Sequence, residues 1–198
     1  MLVNPKGFVM KTRFLVLSTA ISCAFVGNVM ALTKAEYTVH KDQISADYKA
    51  NRGRCATLKA NAKDVCVSEA KGSEKIARAE LEAQYKPSAK TTQKVAMAKA
   101  DAAYDTAKEK CDDLVGNAKD VCVKDVKAAY VKAKEEAKIV KASSDTTKDK
   151  AETMNEVRQD ARTETREADY KAAKERCDSL AGVAKDTCQS DAKTKYGM

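Results

Sequence analysis

Across residues 104–140 the apolar side chains recur every third or fourth position. Tyr104, Ala107, Cys111 and Leu114 share one helical face, and Cys122, Val126, Ala129, Ala133, Ala137 and Val140 resume the step after a short interruption. Cys66, Ala70, Ala77 and Leu81 form a similar seam earlier in the chain, and Met154, Val157, Ala161 and Ala168 another further on. Each seam predicts an amphipathic helix with a narrow, alanine-rich contact stripe. Breakers divide the pattern. Pro87 in "YKPSAK" ends one helix, with Ser88 close to the start of the next. Ser143 and Ser144 in "KASSDTTKD" separate a second unit from a third, and Gly72-Ser73 predicts a kink in the first return helix.

The polar gaps between these seams are copies of one another. "CATLKANAKDVC" begins at Cys55, "CDDLVGNAKDVC" at Cys111 and "CDSLAGVAKDTC" at Cys177. Tyr48, Tyr104 and Tyr170 each stand seven residues before the first cysteine, and Leu58, Leu114 and Leu180 three after it. "AKD" recurs at Ala62-Lys63-Asp64, Ala118-Lys119-Asp120 and Ala184-Lys185-Asp186. The chain is thus three repeats of one helical unit.

On one straight helix the two cysteines of a copy would lie roughly 16 Å apart along the axis, whereas a disulfide needs its Cα atoms within about 7 Å. The middle of each copy holds turn chemistry instead. Gly116 reads as a helix-stop residue followed by Asn117 as an N-cap, with Asp120 three further on in the capping-box position. Asn61 with Asp64 repeats the N-cap half, and Gly182 the stop half. The reading is an all-α protein of three helical hairpins, each closed by a disulfide: Cys55–Cys66, Cys111–Cys122 and Cys177–Cys188. Alanine seams allow the close helix approach that such a link requires. The hairpins would form an extended or loosely packed bundle.

Composition supplies the compartment. Lys6, Lys11 and Arg13 precede the apolar run "FLVLSTAISCAFVGNV", and Val29-Met30-Ala31 fits a small-x-small cleavage site. Residues 1–31 therefore read as a secretory leader starting at Met1 or Met10, and the protein as periplasmic. Lipidation at Cys23 is disfavoured, because Ala20 stands where such sites want Leu. Beyond the leader six cysteines remain, an even number suited to an oxidising compartment. No later stretch is apolar enough to span a membrane. The expected divisions are 1–31 leader, 32–87 first hairpin, 88–143 second and 144–198 third.

The leader takes three of the 37 basic residues and none of the 29 acidic ones, leaving a net charge of +5. This is compatible with weak attraction to an anionic envelope surface. With no basic stripe interleaved with aromatics, nucleic acid is not an expected partner. All three Phe lie in the leader and there is no Trp, so hydrophobic stabilisation per helix should be small.

The residues offer little chemistry. No cysteine pair has C-x-x-C spacing, which argues against a disulfide oxidoreductase, and the pairs are too widely spaced for a zinc site. His40, the one histidine, reads as a solvated helix residue, and there is no phosphate loop or nucleophile motif. No catalytic residue, cofactor or metal is expected. Glu152, Glu156, Asp160 and Glu164 line one side of the third unit, and Arg158, Arg162 and Arg166 lie roughly opposite. Such stripes suit a solvated face with local ion pairs, or a charged partner.

The segments "YKANRGRCATLKANAKDVCVSEAK", "YDTAKEKCDDLVGNAKDVCVKDVKAAY" and "YKAAKERCDSLAGVAKDTCQSDAK" resemble a family of small exported proteobacterial proteins labelled "cell envelope biogenesis protein TolA-like". The resemblance spans essentially the whole mature chain. It implies an envelope location and supplies no activity or site residue. The membrane anchor and globular C-terminal domain of TolA itself have no counterpart here. The resulting expectation is a non-enzymatic helical spacer, adaptor or stress-protective factor, acting on an envelope protein or anionic surface, alone or as a homo-oligomer. A holdase-type chaperone and a thiol redox sensor are the alternatives.

Overall fold

The computed structural model describes residues 32–144 and 150–198. The expected leader, Cys23 and the residues 145–149 of the second boundary lie outside the described residues. Among the described residues there are six α-helices: α1 (Lys34–Arg54), α2 (Ala60–Tyr85), α3 (Ala89–Cys111), α4 (Gly116–Ser143), α5 (Lys150–Arg176) and α6 (Gly182–Tyr196). Local chemistry accounts for several ends. Thr33 caps α1 through a box with Glu36, and Ser88 caps α3 through a box with Thr91. Pro87 lies just beyond the end of α2, where it cannot continue the helix. Gly197 closes α6 in a left-handed conformation.

The chain runs up and down in single file. Each helix packs on its neighbours in sequence, and among the described residues no extensive contact joins helices further apart. The fullest interfaces are α4 with α5, α2 with α3, and α3 with α4. Two of these join different repeats. The hairpins are therefore not independent bodies, and all described residues belong to one compact unit, Ala31–Met198.

Buried apolar side chains are alanines and cysteines, with Leu81 the large aliphatic among them. The inner helices bury two sides. On α3, Ala98 and Ala102 alternate with Ala100, and on α4 Ala128 packs with Ala168 and Ala172 of α5 beside Val131. The periodicity in sequence traced one face of α4 and placed Ala129 on it; Ala129 is exposed and Ala128 is buried instead. A helix held between two neighbours needs a wider buried arc than a single seam describes.

At Gly72-Ser73, where a kink was expected, α2 runs on as one uninterrupted helix. Gly72 has another use. A Cβ built there would stand 2.8 Å from the Cβ of Ala102, so its bare backbone lets α2 and α3 approach closely.

Ion pairs gather where the covalent links do not. Lys75–Asp101 (2.6 Å), Lys94–Glu82 (2.8 Å), Lys99–Glu80 (2.8 Å) and Lys110–Glu69 (3.4 Å) cross from α2 to α3. Lys124–Glu175 (3.5 Å) and Arg176–Asp125 cross from α4 to α5. Exposed pairs contribute little individually, but they fix antiparallel register.

Two stability outcomes follow from this packing. Gly72→Ala is expected to lower stability by about 1–3 kcal/mol through overpacking, whereas Gly53→Ala, with nothing within 4 Å of the added carbon, should raise it by up to about 1 kcal/mol through helix propensity; thermal melts followed by circular dichroism decide both. Each disulfide closes a loop of about a dozen residues, worth roughly 3 kcal/mol by chain entropy. A reductant should therefore lower the melting temperature sharply, and an unchanged melt would remove the disulfides from the account of stability.

Candidate interaction surface at the hairpin tips

The three closed ends are built alike. Cys55 pairs with Cys66, Cys111 with Cys122 and Cys177 with Cys188, at Cα separations of 5.6, 5.7 and 5.7 Å. The first cysteine of each pair is at most 1 % exposed. After it the chain tightens into a short turn, and the amide of Leu58, Leu114 or Leu180 donates to the carbonyl of the preceding cysteine at 3.0–3.1 Å. The leucine backbone is extended at Leu58 and Leu180, which lead the chain out of the turn.

The reversal is completed by one left-handed residue at the same place in each repeat: Ala60 (φ 47), Gly116 (φ 56) and Gly182 (φ 55). Glycine adopts this conformation at little cost, and Ala60 holds it against a Cβ clash. This corrects the expected roles within the turn. Gly116 and Gly182 do not stop the outgoing helices; they begin the returning ones. Asn117 is not an N-cap, because Val115 occupies that position, and Lys59 and Ala181 are its equivalents. None of the three makes a side-chain cap bond. Asn61 lies inside the first turn of α2 and reaches another repeat, its Nδ2 donating to the Glu109 carbonyl of α3 at 2.9 Å.

The recurring "AKD" gains a reason that spacing alone did not supply. Lys119 bonds Asp112, and Lys185 bonds Asp178, each at 2.8 Å across its own turn. The hydrogen bond to Asp112 raises the Lys119 pKa, and the bond from Lys185 lowers that of Asp178. In the first repeat Ala56 stands where Asp112 and Asp178 do, so Lys63 has no such partner.

Because the helices alternate in direction, all three tips lie at one end of the array. Asn61 bonding to Glu109, and Asp125 pairing with Arg176, join neighbouring tips directly. Most of the exposed large apolar side chains are there: Leu58, Leu114 and Leu180 at 40–42 %, Val115 at 84 % and Val183 at 81 %.

Two other clusters mark the array. Asp101 of α3 accepts from Lys75 of α2 and, at 2.6 Å, from the Tyr130 hydroxyl of α4. Partial burial pushes the Asp101 carboxyl up, but the bonds from Lys75 and Tyr130 outweigh it and hold its pKa below the usual value. The same bond, with partial burial and the adjacent charge, pushes Tyr130 up to about 12. Tyr104 stacks on Tyr130 at 4.5 Å, with Lys127 over both rings. This places the repeated tyrosine of the second unit in a helix–helix contact.

In the second cluster, Arg158, Arg162 and Arg166 line a groove with Lys132, Glu136 and Tyr196. The expected local ion pairs of this stripe are missing. Among the described residues no carboxylate lies within 4.0 Å of the three arginines, since the acidic stripe turns to the other side of α5. His40 is exposed on α1, and among the described residues no three His, Cys, Asp or Glu side chains converge as a metal centre would require.

Comparison with protein-family models, with curated proteins and with solved structures yields no match. Among the described residues no helix is long and apolar enough to cross a membrane.

The Asp101–Tyr130 bond carries a pH signature. Tyr130 should titrate near pH 12, and Asp101→Ala should return it toward about 10. Its stabilising contribution is full below about pH 10 and is lost as pH rises through 12. That of the Asp101 carboxylate is present above its ordinary value and is lost on acidification. Ultraviolet difference titration of wild type against Tyr130→Phe reads the shift.

Proposed function

We propose that the protein is a non-enzymatic periplasmic envelope protein, a helical spacer or adaptor whose task is to hold an interaction surface at a fixed place. The observation that carries this reading is the single-file array itself. Six helices in sequence order present charged, solvent-facing sides, interhelical grooves open to solvent and one decorated end. Disulfides fit an oxidising compartment, and the resemblance to exported envelope repeat proteins supports the same location. A stress-protective role is compatible with this arrangement.

The holdase alternative draws on the exposed tips, but these are separated points and not the continuous apolar surface that an unfolded client needs. The redox-sensor alternative is weakened by the burial of one sulfur-bearing residue in every pair.

Photo-crosslinking residues placed at exposed positions on α1, α5 and the tips test the reading in intact cells. The adaptor reading expects discrete adducts from one face or end. Uncrosslinked monomer at every position, together with suppression of client aggregation by the purified protein at equal molar ratio, would replace it with the holdase reading.

A further inference from the structure

The repeated leucines pose a problem that the fold does not solve. A side chain kept at the same place in three copies would be expected in the core, yet Leu58, Leu114 and Leu180 are each about two-fifths exposed. Val115 and Val183 beside them are almost fully exposed. The backbone role of the leucine position, an amide bonded to the cysteine carbonyl, could be filled by any residue with an N–H. In a chain whose helices are held by alanine seams, five of the seven exposed large apolar side chains among the described residues stand at one end.

The arrangement of these residues discriminates between occupants. Antiparallel helices lie about 8–10 Å apart, so successive tips are roughly two helix spacings apart. The apolar points are thus separated by turns and charged residues, and they do not merge into the contiguous desolvated centre that a protein interface requires. A lipid bilayer imposes no such requirement. It is a continuous apolar phase in which each tip can bury its own side chains, and three weak insertions on one rigid frame reinforce one another. The disulfides, each within one helical turn of its tip, hold the two helices of each hairpin together next to the apolar side chains.

Charge selects the kind of bilayer. The first tip carries Arg54, Lys59 and Lys63, and among the described residues none of the three has a carboxylate within 4.0 Å. Ala56 in place of the aspartate of the other two repeats leaves Lys63 free. At this tip three basic side chains face one acidic residue, Asp64, and basic side chains beside an exposed apolar one are the combination that binds anionic headgroups. The second and third tips, whose charges include Asp112, Asp113 and Asp178, contribute apolar side chains and no net positive charge.

We propose that the end of the array formed by the three hairpin tips docks on an anionic phospholipid surface, with Leu58, Leu114, Val115, Leu180 and Val183 entering the interface and the free cations of the first tip contacting headgroups. This deepens the adaptor reading by naming one of its two attachments. The opposite end and the α5 groove stay available for a protein.

Co-sedimentation with vesicles tests the proposal. Oxidised wild type is compared with a tip variant carrying Leu58→Ser, Leu114→Ser, Val115→Ser, Leu180→Ser and Val183→Ser, and with a Lys59→Glu, Lys63→Glu variant. All share the same N-terminus, so any contribution from it cancels. All five tip positions are exposed, and melting curves establish that each variant folds. Wild type should bind vesicles of equal parts phosphatidylcholine and phosphatidylglycerol better than pure phosphatidylcholine, and less as salt rises. The tip variant should bind at least about tenfold more weakly, the equivalent of burying one apolar side chain, and the charge variant should lose the preference for anionic lipid. No binding to either vesicle, or binding unchanged in the tip variant, overturns membrane docking. Either result leaves the adaptor reading to be judged by the crosslinked partner.

Discussion

Two Cα atoms 5.6–5.7 Å apart across a disulfide oblige the helices leaving them to run side by side, and only small side chains permit it. Alanine seams within a hairpin, such as Ala100, Ala103 and Ala107 of α3 lining one groove with Ala129 and Ala133 of α4, are the other half of the same constraint. Such seams bury little apolar area, so packing alone would hold the helices weakly. The covalent link offsets this by limiting the unfolded chain. Each feature requires the other: larger seam residues would push the cysteines apart, and without the cysteines the small seams would not hold.

The two kinds of interface are stabilised differently. Inside a hairpin the link is a disulfide at the tip, supplemented in two repeats by a lysine–aspartate pair across the turn. Between hairpins it is packing and polar contact: Asn61 on Glu109, the ion pairs from α2 to α3 and from α4 to α5, and Asp101 joining α2, α3 and α4 through Lys75 and Tyr130. One buried group stands apart. Glu135 is 5 % exposed, and its Oε2 has no hydrogen-bond partner although Lys138 reaches the other oxygen at 2.7 Å. An incompletely paired buried carboxylate costs stability.

Element type, the three reversals and the cysteine pairing were legible in the sequence because they are local. Helical periodicity spans a few turns, and ten residues between paired cysteines, with turn residues midway, leave few geometries. Ser88, Pro87 and the glycine positions could be read for the same reason. The detailed turn roles were misread at Asn117, because an N-cap asparagine and an asparagine one residue inside the helix look alike until the φ of the preceding glycine is known. What each face touches was decided by tertiary structure alone. Gly72 reads locally as a flexible point, and only the presence of Ala102 across the interface makes it a contact. Ala128 was hidden because α4 has two partners. Above all, single-file order brings three tips more than fifty residues apart in sequence to one end, and no residue near any one of them encodes that convergence.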